Sequence, residues 1–346
     1  MPINYEPIDT TTDVATTRTL LHEVIPLTGT IVSGTYGTFP NDDNIKNYSH
    51  GMFQSVYDYP YLSSSANHIF DLTAGFDESS PLSGSVSSVQ ETKKINMYNQ
   101  FSQVLLGYTG STNRVRLFES DLTLDEDSPM KETIFVNLSR LLTKDEIKKG
   151  SVSITLGTAS WANPFSGVRT FTDAGAAENA GTLNTIGGDY GILSSSTAGV
   201  GGVVFYQAGV MVLTSSIWTG TTDFFSQSGT ARTIDNQLVS GSISGSADAF
   251  RHRLQNLQFN NTTEINSTVY FCRMPHNKFN YSSNPTYLNA GSIRVKNNSR
   301  NNPPISYITT VGLYNSQNEL LAVAKLSEPL RKDPTNELTL RVRLDY

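Results

Sequence analysis

The sequence predicts a mainly β fold with a few helices, an α+β protein built from antiparallel, β-sandwich-like domains. Apolar and polar residues alternate in the stretch NELTLRVRLDY, so that Leu338, Leu340, Val342 and Leu344 share one face of a strand. The other apolar runs are short and are separated by Gly, Ser, Thr and Asn, residue types that favour turns and loops. Helical spacing of apolar residues is confined to a few segments.

Residues 1–88 form an aromatic-rich N-terminal segment, which we expect either to stand alone or to belong to the main domain. Within it, YSHGMFQSVYDYPYLSSSANHIFDLT holds a dense group of aromatic side chains, namely Tyr48, Phe53, Tyr57, Tyr59, Tyr61 and Phe70. A group this dense forms either a small core or a contact surface. We interpret it as a core or a candidate contact surface toward another subunit, with stacking on a ligand as the alternative.

Two helices are predicted in the part that follows. Residues Val89–Leu106 repeat apolar positions at three- and four-residue spacing, and Gly107 stands where a C-terminal cap belongs. The predicted apolar stripe consists of Ile95, Tyr98, Phe101, Val104 and Leu105. The second predicted helix is Leu141–Gly150, because Thr143 and Glu146 match a capping box and acidic residues precede lysines along it. Both helices are interpreted as structural.

Residues 89–264 are predicted to form an α+β body with a Gly/Ser/Thr-rich insertion at about 158–249. Inside the insertion, GGVVFYQAGVMVLTSSIW indicates two strands around a turn at Gln207–Gly209. The second half of FSQSGTARTIDNQLVSGSISGSADAFRHRLQNLQFNN favours helix. The composition is compatible both with a packed β-domain and with arms that become ordered on assembly.

Residues 265–346 are predicted to form a C-terminal antiparallel β-domain with a hairpin and a closing strand. The stretches SYITTVGLYN and ELLAVAKLSE pair through a turn at Asn315–Asn318. Pro329 and Pro334 mark a second reversal before the closing strand. The polar stretch Asn277–Pro304 is interpreted as a variable excursion ahead of the hairpin.

Composition limits the function classes. The net charge of −6 and the charged content of 16% argue against a nucleic-acid-binding surface, which would be basic. No run reaches the roughly 18 successive apolar residues of a membrane span, and no signal-peptide pattern opens the chain. The single cysteine, Cys272, cannot form an internal disulfide and is interpreted as a buried apolar residue.

The search for catalytic chemistry finds no motif for a nucleophile, a nucleotide or a metal ion. The five histidines have no metal-ligand spacing. The acidic run Glu119–Ser128 is dense in oxygen ligands but lacks the Asp/Asn alternation and glycine of a calcium loop, which favours a solvated loop. We therefore predict no enzymatic activity, no catalytic residues, no cofactor and no metal site.

Three stretches carry a family resemblance: INMYNQFSQVLLGY (Ile95–Tyr108), IFVNLSRLLTKDEIKKGSVSITLG (Ile134–Gly157) and the segment from FNYSSNPTYL to LRVRLDY (Phe279–Tyr346). Together and in this order they resemble virion structural proteins of contractile-tailed bacteriophages of marine and cyanobacterial hosts. The hairpin sequence also resembles the cores of β-domains in phage baseplate and tail-fibre attachment proteins.

The resemblance implies a non-enzymatic structural subunit of a virion, in the tail or baseplate, that acts in assembly and in fibre or wedge attachment. The implied partners are other virion proteins and copies of the chain in a symmetric particle, with no nucleic acid and no membrane. The implied location is the virion, assembled in the host bacterial cytoplasm. The alternatives are a head or neck decoration or connector protein, and a host-receptor or glycan-binding module of the tail; a glycan-cleaving enzyme is disfavoured.

Overall fold

A computed structural model describes residues 5–34, 36–84, 88–109, 114–177, 181–227, 229–282, 288–289, 292–295 and 299–346. The chain divides into two compact units. Unit 1 comprises Met1–Thr19 and Glu264–Tyr346, and unit 2 comprises Leu20–Thr263.

Strands predominate over helices, which confirms the predicted mainly β fold with a few helices. The helices are α1 (Gly29–Val32), α2 (Val89–Leu105), α3 (Arg140–Thr143), α4 (Ile234–Ser240) and α5 (Ile243–Arg253), with 3-10 turns at Pro164–Ser166, Ala174–Ala177 and Ser215–Trp218. The strands in the first half of the chain are β1 (Val14–Thr28), β2 (Gly37–Thr38), β3 (Asn41–Asp42), β4 (Ile45–Asn47), β5 (Gln54–Tyr57), β6 (His68–Phe76), β7 (Phe118–Glu119), β8 (Pro129–Met130), β9 (Glu132–Leu138), β10 (Glu146–Ile147), β11 (Ser153–Gly157) and β12 (Val168–Thr172). Those in the second half are β13 (Thr182–Thr185), β14 (Gly188–Ser195), β15 (Gly199–Phe205), β16 (Val210–Thr214), β17 (Phe225–Gln227), β18 (Thr230–Arg232), β19 (Leu254–Met274), β20 (Leu288–Asn289), β21 (Ser292–Val295), β22 (Ser306–Tyr314), β23 (Leu320–Lys332) and β24 (Leu338–Asp345).

One antiparallel sheet organises unit 2. Its strands follow the order β1-β19-β11-β12-β14-β15-β16-β9-β6-β5-β4, with β10 beside β19 and β13 beside β14. Side chains alternate between the two faces along each strand, and the central strands are apolar on both faces. Such a pattern is typical of a sheet that is covered on both sides.

Two hydrophobic cores of unit 2 cover these two faces. Core A contains Ile134 of β9 together with Leu238 of α4 and Phe250 of α5. Core B contains the next residue of β9, Phe135, together with Tyr98 of α2. The sheet therefore has helices α4 and α5 on one side and α2 on the other.

Helix α2 confirms the predicted helix Val89–Leu106. Ser88 and Glu91 form a capping box at its start, because each side chain accepts a hydrogen bond from the other residue's backbone N–H. Gly107 follows its end with φ of 84°, the left-handed conformation that favours glycine. The predicted apolar stripe is wrong at Val104, which is exposed.

The predicted helix Leu141–Gly150 is wrong. Helix α3 begins after Ser139 and ends at Thr143, and Lys144 then takes a φ of 57° that does not continue a helix. Strand β10 follows and pairs with β19, which places Ile147 in core A. The burial of Ile147 outweighs the local helical propensity, which amounts to only tenths of a kcal/mol per residue.

Two buried cationic side chains join the elements of unit 2. Lys94 of α2 donates to three main-chain carbonyls where α4 ends, and Arg253 of α5 donates to four main-chain carbonyls. Burial lowers the pKa of Lys94 to about 8, so the ammonium group is protonated at neutral pH. The main-chain carbonyls that accept these hydrogen bonds are brought to the two side chains by the fold, so the sequence alone does not reveal them.

The described residues of the insertion at about 158–249 are a packed part of unit 2. Strands β14, β15 and β16 lie in the middle of the sheet, and Gly209 turns the chain between β15 and β16 as predicted, with φ of 71°. Helices α4 and α5 confirm the prediction of helix in the second half. Gly201 faces the ring of Phe171, and a Cβ there would lie 2.4 Å from that ring.

Unit 1 contains a strand pair and a separate hairpin. Strand β24 pairs antiparallel with β19, and Leu338, Leu340, Val342 and Leu344 are less exposed than the residues between them, as the alternation predicts. Strands β22 and β23 form the predicted hairpin. Pro329 lies within β23, so its predicted role in a second reversal is wrong.

The predicted second turn is present at Pro334, between β23 and β24. The predicted excursion Asn277–Pro304 contains the short strands β20 and β21, and part of it lies outside the described residues.

Apolar burial in unit 1 is sparse. Among its described residues, only four apolar side chains are buried: Val269, Met274, Leu313 and Val342. Both hydrophobic cores lie entirely in unit 2. The side chains of unit 1 that the structure describes therefore supply less buried apolar volume than a core for about 100 residues would need.

Candidate functional site

The predicted aromatic cluster lies on strands β5 and β6 of unit 2 and in the loops that join β4, β5 and β6. Phe70 is fully buried and belongs to core A together with Val56. Side chains alternate along β6, so Phe70 points to the opposite face from Asp71. The assignment of Phe70 to a contact surface is therefore wrong.

The other face of these three strands carries an ordered array that we call the sheet face, formed by Lys46, Tyr48, Phe53, Ser55, Tyr57, His68 and Asp71. In the strand register, Lys46 lies opposite Ser55, and Ser55 lies opposite Asp71. This polar row crosses three strands. Aromatic pairs lie on either side of it, with centroids 4.7 Å apart for Tyr48 and Phe53, and 5.5 Å apart for Tyr57 and His68.

Hydrogen bonds fix the polar row. The Ser55 hydroxyl donates to Asp71 Oδ1 at 2.5 Å, and His68 Nε2 lies 2.8 Å from the same oxygen. The Tyr48 hydroxyl lies 3.3 Å from Ser55 Oγ, and Lys46 Nζ lies 4.8 Å from the centroid of the Tyr48 ring. The side chains are thus positioned by one another and by the sheet.

Several polar atoms of the sheet face remain open. Within the described part of the chain, Lys46 Nζ, Asp71 Oδ2 and His68 Nδ1 have no hydrogen-bond partner. The side chains of His68 and Asp71 are 32% and 25% exposed. Burial raises the pKa of Tyr57, so its hydroxyl is protonated at neutral pH and can donate a hydrogen bond. Donors and acceptors are therefore available to a ligand.

The remaining predicted residues lie beside the sheet face. Tyr59 and Tyr61 are exposed in the loop after β5, and the Tyr61 ring lies 6.3 Å from that of Tyr57. The Tyr59 ring lies 5.5 Å from Tyr36. At the other end, His50 stacks on Tyr48 with 5.2 Å between centroids.

Sequence reasoning found the aromatic members of the sheet face and missed Lys46, Ser55, His68 and Asp71. A usable signal was present, because Phe53, Ser55 and Tyr57 stand two residues apart and must share a face if the segment is a strand. The partners on β4 and β6 depend on strand register, which the sequence does not state.

Unit 1 exposes a second surface, which we call the hairpin face, formed by Tyr307, Tyr314, Leu320, Leu321 and Val323 of β22 and β23. Each of these side chains is between 45% and 68% exposed. Leu320–Ala324 are five successive apolar residues, so the strand is apolar on both faces. In the described residues, β23 pairs only with β22.

The acidic run differs from the predicted solvated loop at its first residue. Glu119 is buried, and burial raises its pKa to about 7. Carboxylate oxygens of Glu119, Asp121 and Asp127 lie within 4.8 Å of one another. They are the residues that could hold a hard cation, but Glu119 already accepts a hydrogen bond from the backbone N–H of Glu126.

A shallow cleft of about 340 Å³ lies in unit 2, and four of its ten lining residues are threonines. Its two charged side chains are bound to the main chain, because Arg169 donates to the Ile217 carbonyl and Asp223 accepts from the Trp161 N–H.

Cys272, predicted to be buried, is half-buried, and burial raises the pKa of its thiol.

In the part of the chain that the structure describes, no helix is both long enough and apolar enough to cross a membrane. Comparison of the chain with protein-family models, curated proteins and solved structures finds no match. The sheet face and the hairpin face are the candidate functional surfaces of the described residues.

Proposed function

We propose that this protein is a non-enzymatic structural subunit of a bacteriophage virion, in the tail or baseplate, and that it acts through protein–protein contacts. The sequence resemblance supplies the virion setting. The observation that carries the proposed mode of action is the sparse apolar burial of unit 1, combined with its exposed hairpin face.

A two-stranded hairpin is marginally stable in water unless it packs against something else. The hairpin face leaves five large apolar side chains exposed, and Leu320–Ala324 has the composition of a strand that is buried on both sides. A partner subunit that covered this surface would stabilise the assembly by about 25 cal/mol for each Å² of apolar surface removed from water. If unit 1 completes its packing only on assembly, both its sparse apolar burial and its exposed hairpin face are explained.

The regular geometry of the hairpin favours a contact surface over a flexible tail. Its backbone is fixed by a regular register from Thr310–Lys325 to Leu313–Ala322, and the rings of Tyr5 and Tyr314 lie 5.0 Å apart. Obligate interfaces resemble a protein core cut in half, with apolar and aromatic residues at the centre. Other virion proteins and copies of the chain are the proposed partners.

The proposal is tested by locating the protein in purified particles. An antibody against the chain should label tails separated from heads on a density gradient, and a particle reconstruction should show the hairpin face covered by a neighbouring subunit. Recovery with heads or necks would favour the decoration or connector alternative. Absence of the protein from particles would overturn the proposal.

A matched pair of variants tests the mode of action. Leu321→Asp should prevent incorporation into particles, because it places a charge in the proposed interface. Val104→Asp, at an exposed valine of α2 in unit 2, introduces the same charge elsewhere and should be incorporated normally. Normal incorporation of Leu321→Asp would show that the hairpin face is not an interface.

A further inference from the structure

We infer that the sheet face of unit 2 binds an uncharged sugar ring, with Lys46 and Asp71 of the polar row contacting its hydroxyls and the aromatic rows contacting its C–H faces. This inference goes beyond the proposed structural function and does not depend on the hairpin face. A neutral saccharide is the class of molecule that such a site would take.

The dimensions of the array fit a small saccharide. Neighbouring strands lie about 4.8 Å apart and side chains on one face of a strand recur about every 6.6 Å, so three strands and three rows span roughly 10 by 13 Å. That area accommodates one or two pyranose rings lying flat. The sheet supplies a rigid platform, since every member except Tyr48 and Phe53 belongs to a strand.

The chemistry of the central row matches hydroxyl groups rather than an ion. Lys46 brings one positive charge and Asp71 one negative charge, so the row has no net charge to select an anion or a cation. The open Lys46 Nζ is a donor, and the open Asp71 Oδ2 is an acceptor. A sugar hydroxyl donates and accepts, and adjacent hydroxyls can use both ends of the row at once.

Hydrogen bonds within the face leave the polar row prepared for a ligand. Ser55 and His68 both engage Asp71 Oδ1, which orients the carboxylate and leaves Oδ2 open. Ser55 itself is buried beneath the surrounding side chains, so the carboxylate is fixed from below. Pre-ordered side chains lose little conformational freedom on binding, which favours affinity from few contacts.

The aromatic rows supply the apolar part of the site. Tyr48 and Phe53 on one side, and Tyr57 with Tyr61 on the other, are partly exposed and have ring centroids 4.7 and 6.3 Å apart. A pyranose ring has apolar C–H faces and polar edges. It would therefore lie against the rings while its edge hydroxyls reach the polar row.

A protein partner is the competing occupant, because aromatic residues are also common in protein interfaces. The charged row at the centre disfavours it, since interface centres are depleted in Asp and Lys. The two occupants give different results in the experiment that follows.

The test is saturation-transfer NMR on the full chain with a panel of methyl glycosides of neutral hexoses, together with methyl glucuronate as the charged comparison, at about 10 mM, a range suited to millimolar affinity. Transfer should be strongest to the ring C–H protons of at least one glycoside. Lys46→Ala and Asp71→Asn should each weaken binding about tenfold, the loss expected for one hydrogen bond to a charged group. Tyr57→Ala should weaken it further.

Tyr108→Ala is the matched control, since Tyr108 is 47% exposed and lies outside the sheet face. It should leave transfer unchanged, and thermal unfolding of each variant checks that the fold is intact. Absence of transfer for every glycoside, equal transfer in all variants, or transfer confined to glucuronate would overturn the inference. The inference would also be overturned if the chain captured a virion protein, if Asp71→Asn abolished that capture, and if no glycoside bound. None of these results bears on the hairpin face.

Discussion

Arg251 is expected to be the most sensitive charged residue of unit 2. Its guanidinium is buried and donates five hydrogen bonds, to Asp42 and Asp248, to the Gln54 side chain and to the carbonyls of Val32 and Pro40. The bond to Gln54 reaches the buried side of β5, directly behind the sheet face. Arg251 therefore ties helix α5 to the strands that carry the candidate site.

Replacement of Arg251 by Met would leave two carboxylates without their cation, and the side chains of Asp42 and Asp248 are only 0% and 14% exposed. Removing one partner of a buried ion pair costs about 3–5 kcal/mol. That is a large part of the 5–15 kcal/mol by which a typical protein is stable. Arg251→Lys keeps the charge and offers three donors for five acceptors, so a loss of about 1–3 kcal/mol is expected.

The assay is urea unfolding followed by tryptophan fluorescence, which reports unit 2 because both tryptophans, Trp161 and Trp218, lie there. Arg140→Met serves as the control, since Arg140 is exposed and donates to a single carbonyl, and it should cost less than about 1 kcal/mol. A loss below about 1 kcal/mol for Arg251→Met would refute the reasoning.

Three further predictions concern other parts of the chain. Burial raises the pKa of Glu119 from 4.5 to about 7, so the folded state holds this proton more tightly and the free energy of unfolding should fall as the pH rises from about 4.5 to 7. Glu119→Gln should flatten that dependence when unfolding is measured at pH 5 and pH 8. Deletion of Leu340–Tyr346 removes most of β24 and its ladder with β19, so unit 1 should fail to fold and should become sensitive to protease, whereas a truncated chain that still enters particles would contradict this. Lys94→Met removes three hydrogen bonds to carbonyls at the end of α4 and should lower the free energy of unfolding by about 2–4 kcal/mol, measured with urea against Lys93→Met, which replaces a half-buried lysine that donates to the His50 carbonyl.

Local patterns were sufficient for much of the fold. The alternation in β24, the turn at Asn315–Asn318 and the helix ending before Gly107 were all readable, because each depends on residues close together in the chain. The aromatic members of the sheet face were readable for the same reason, since Phe53 directly precedes β5 and Tyr57 ends it, four residues further along. Short-range geometry dictates these features.

The sequence by itself therefore determined the fold class, the strand alternation and the presence of an aromatic segment. Only the tertiary structure decided that Phe70 turns into core A while Lys46 and Asp71 flank Ser55 on the open face. It also decided that Ile147 enters a strand instead of a helix. The physical reason is that strand register and burial arise from contacts between distant segments, whose free energies exceed the small local preferences that a sequence displays.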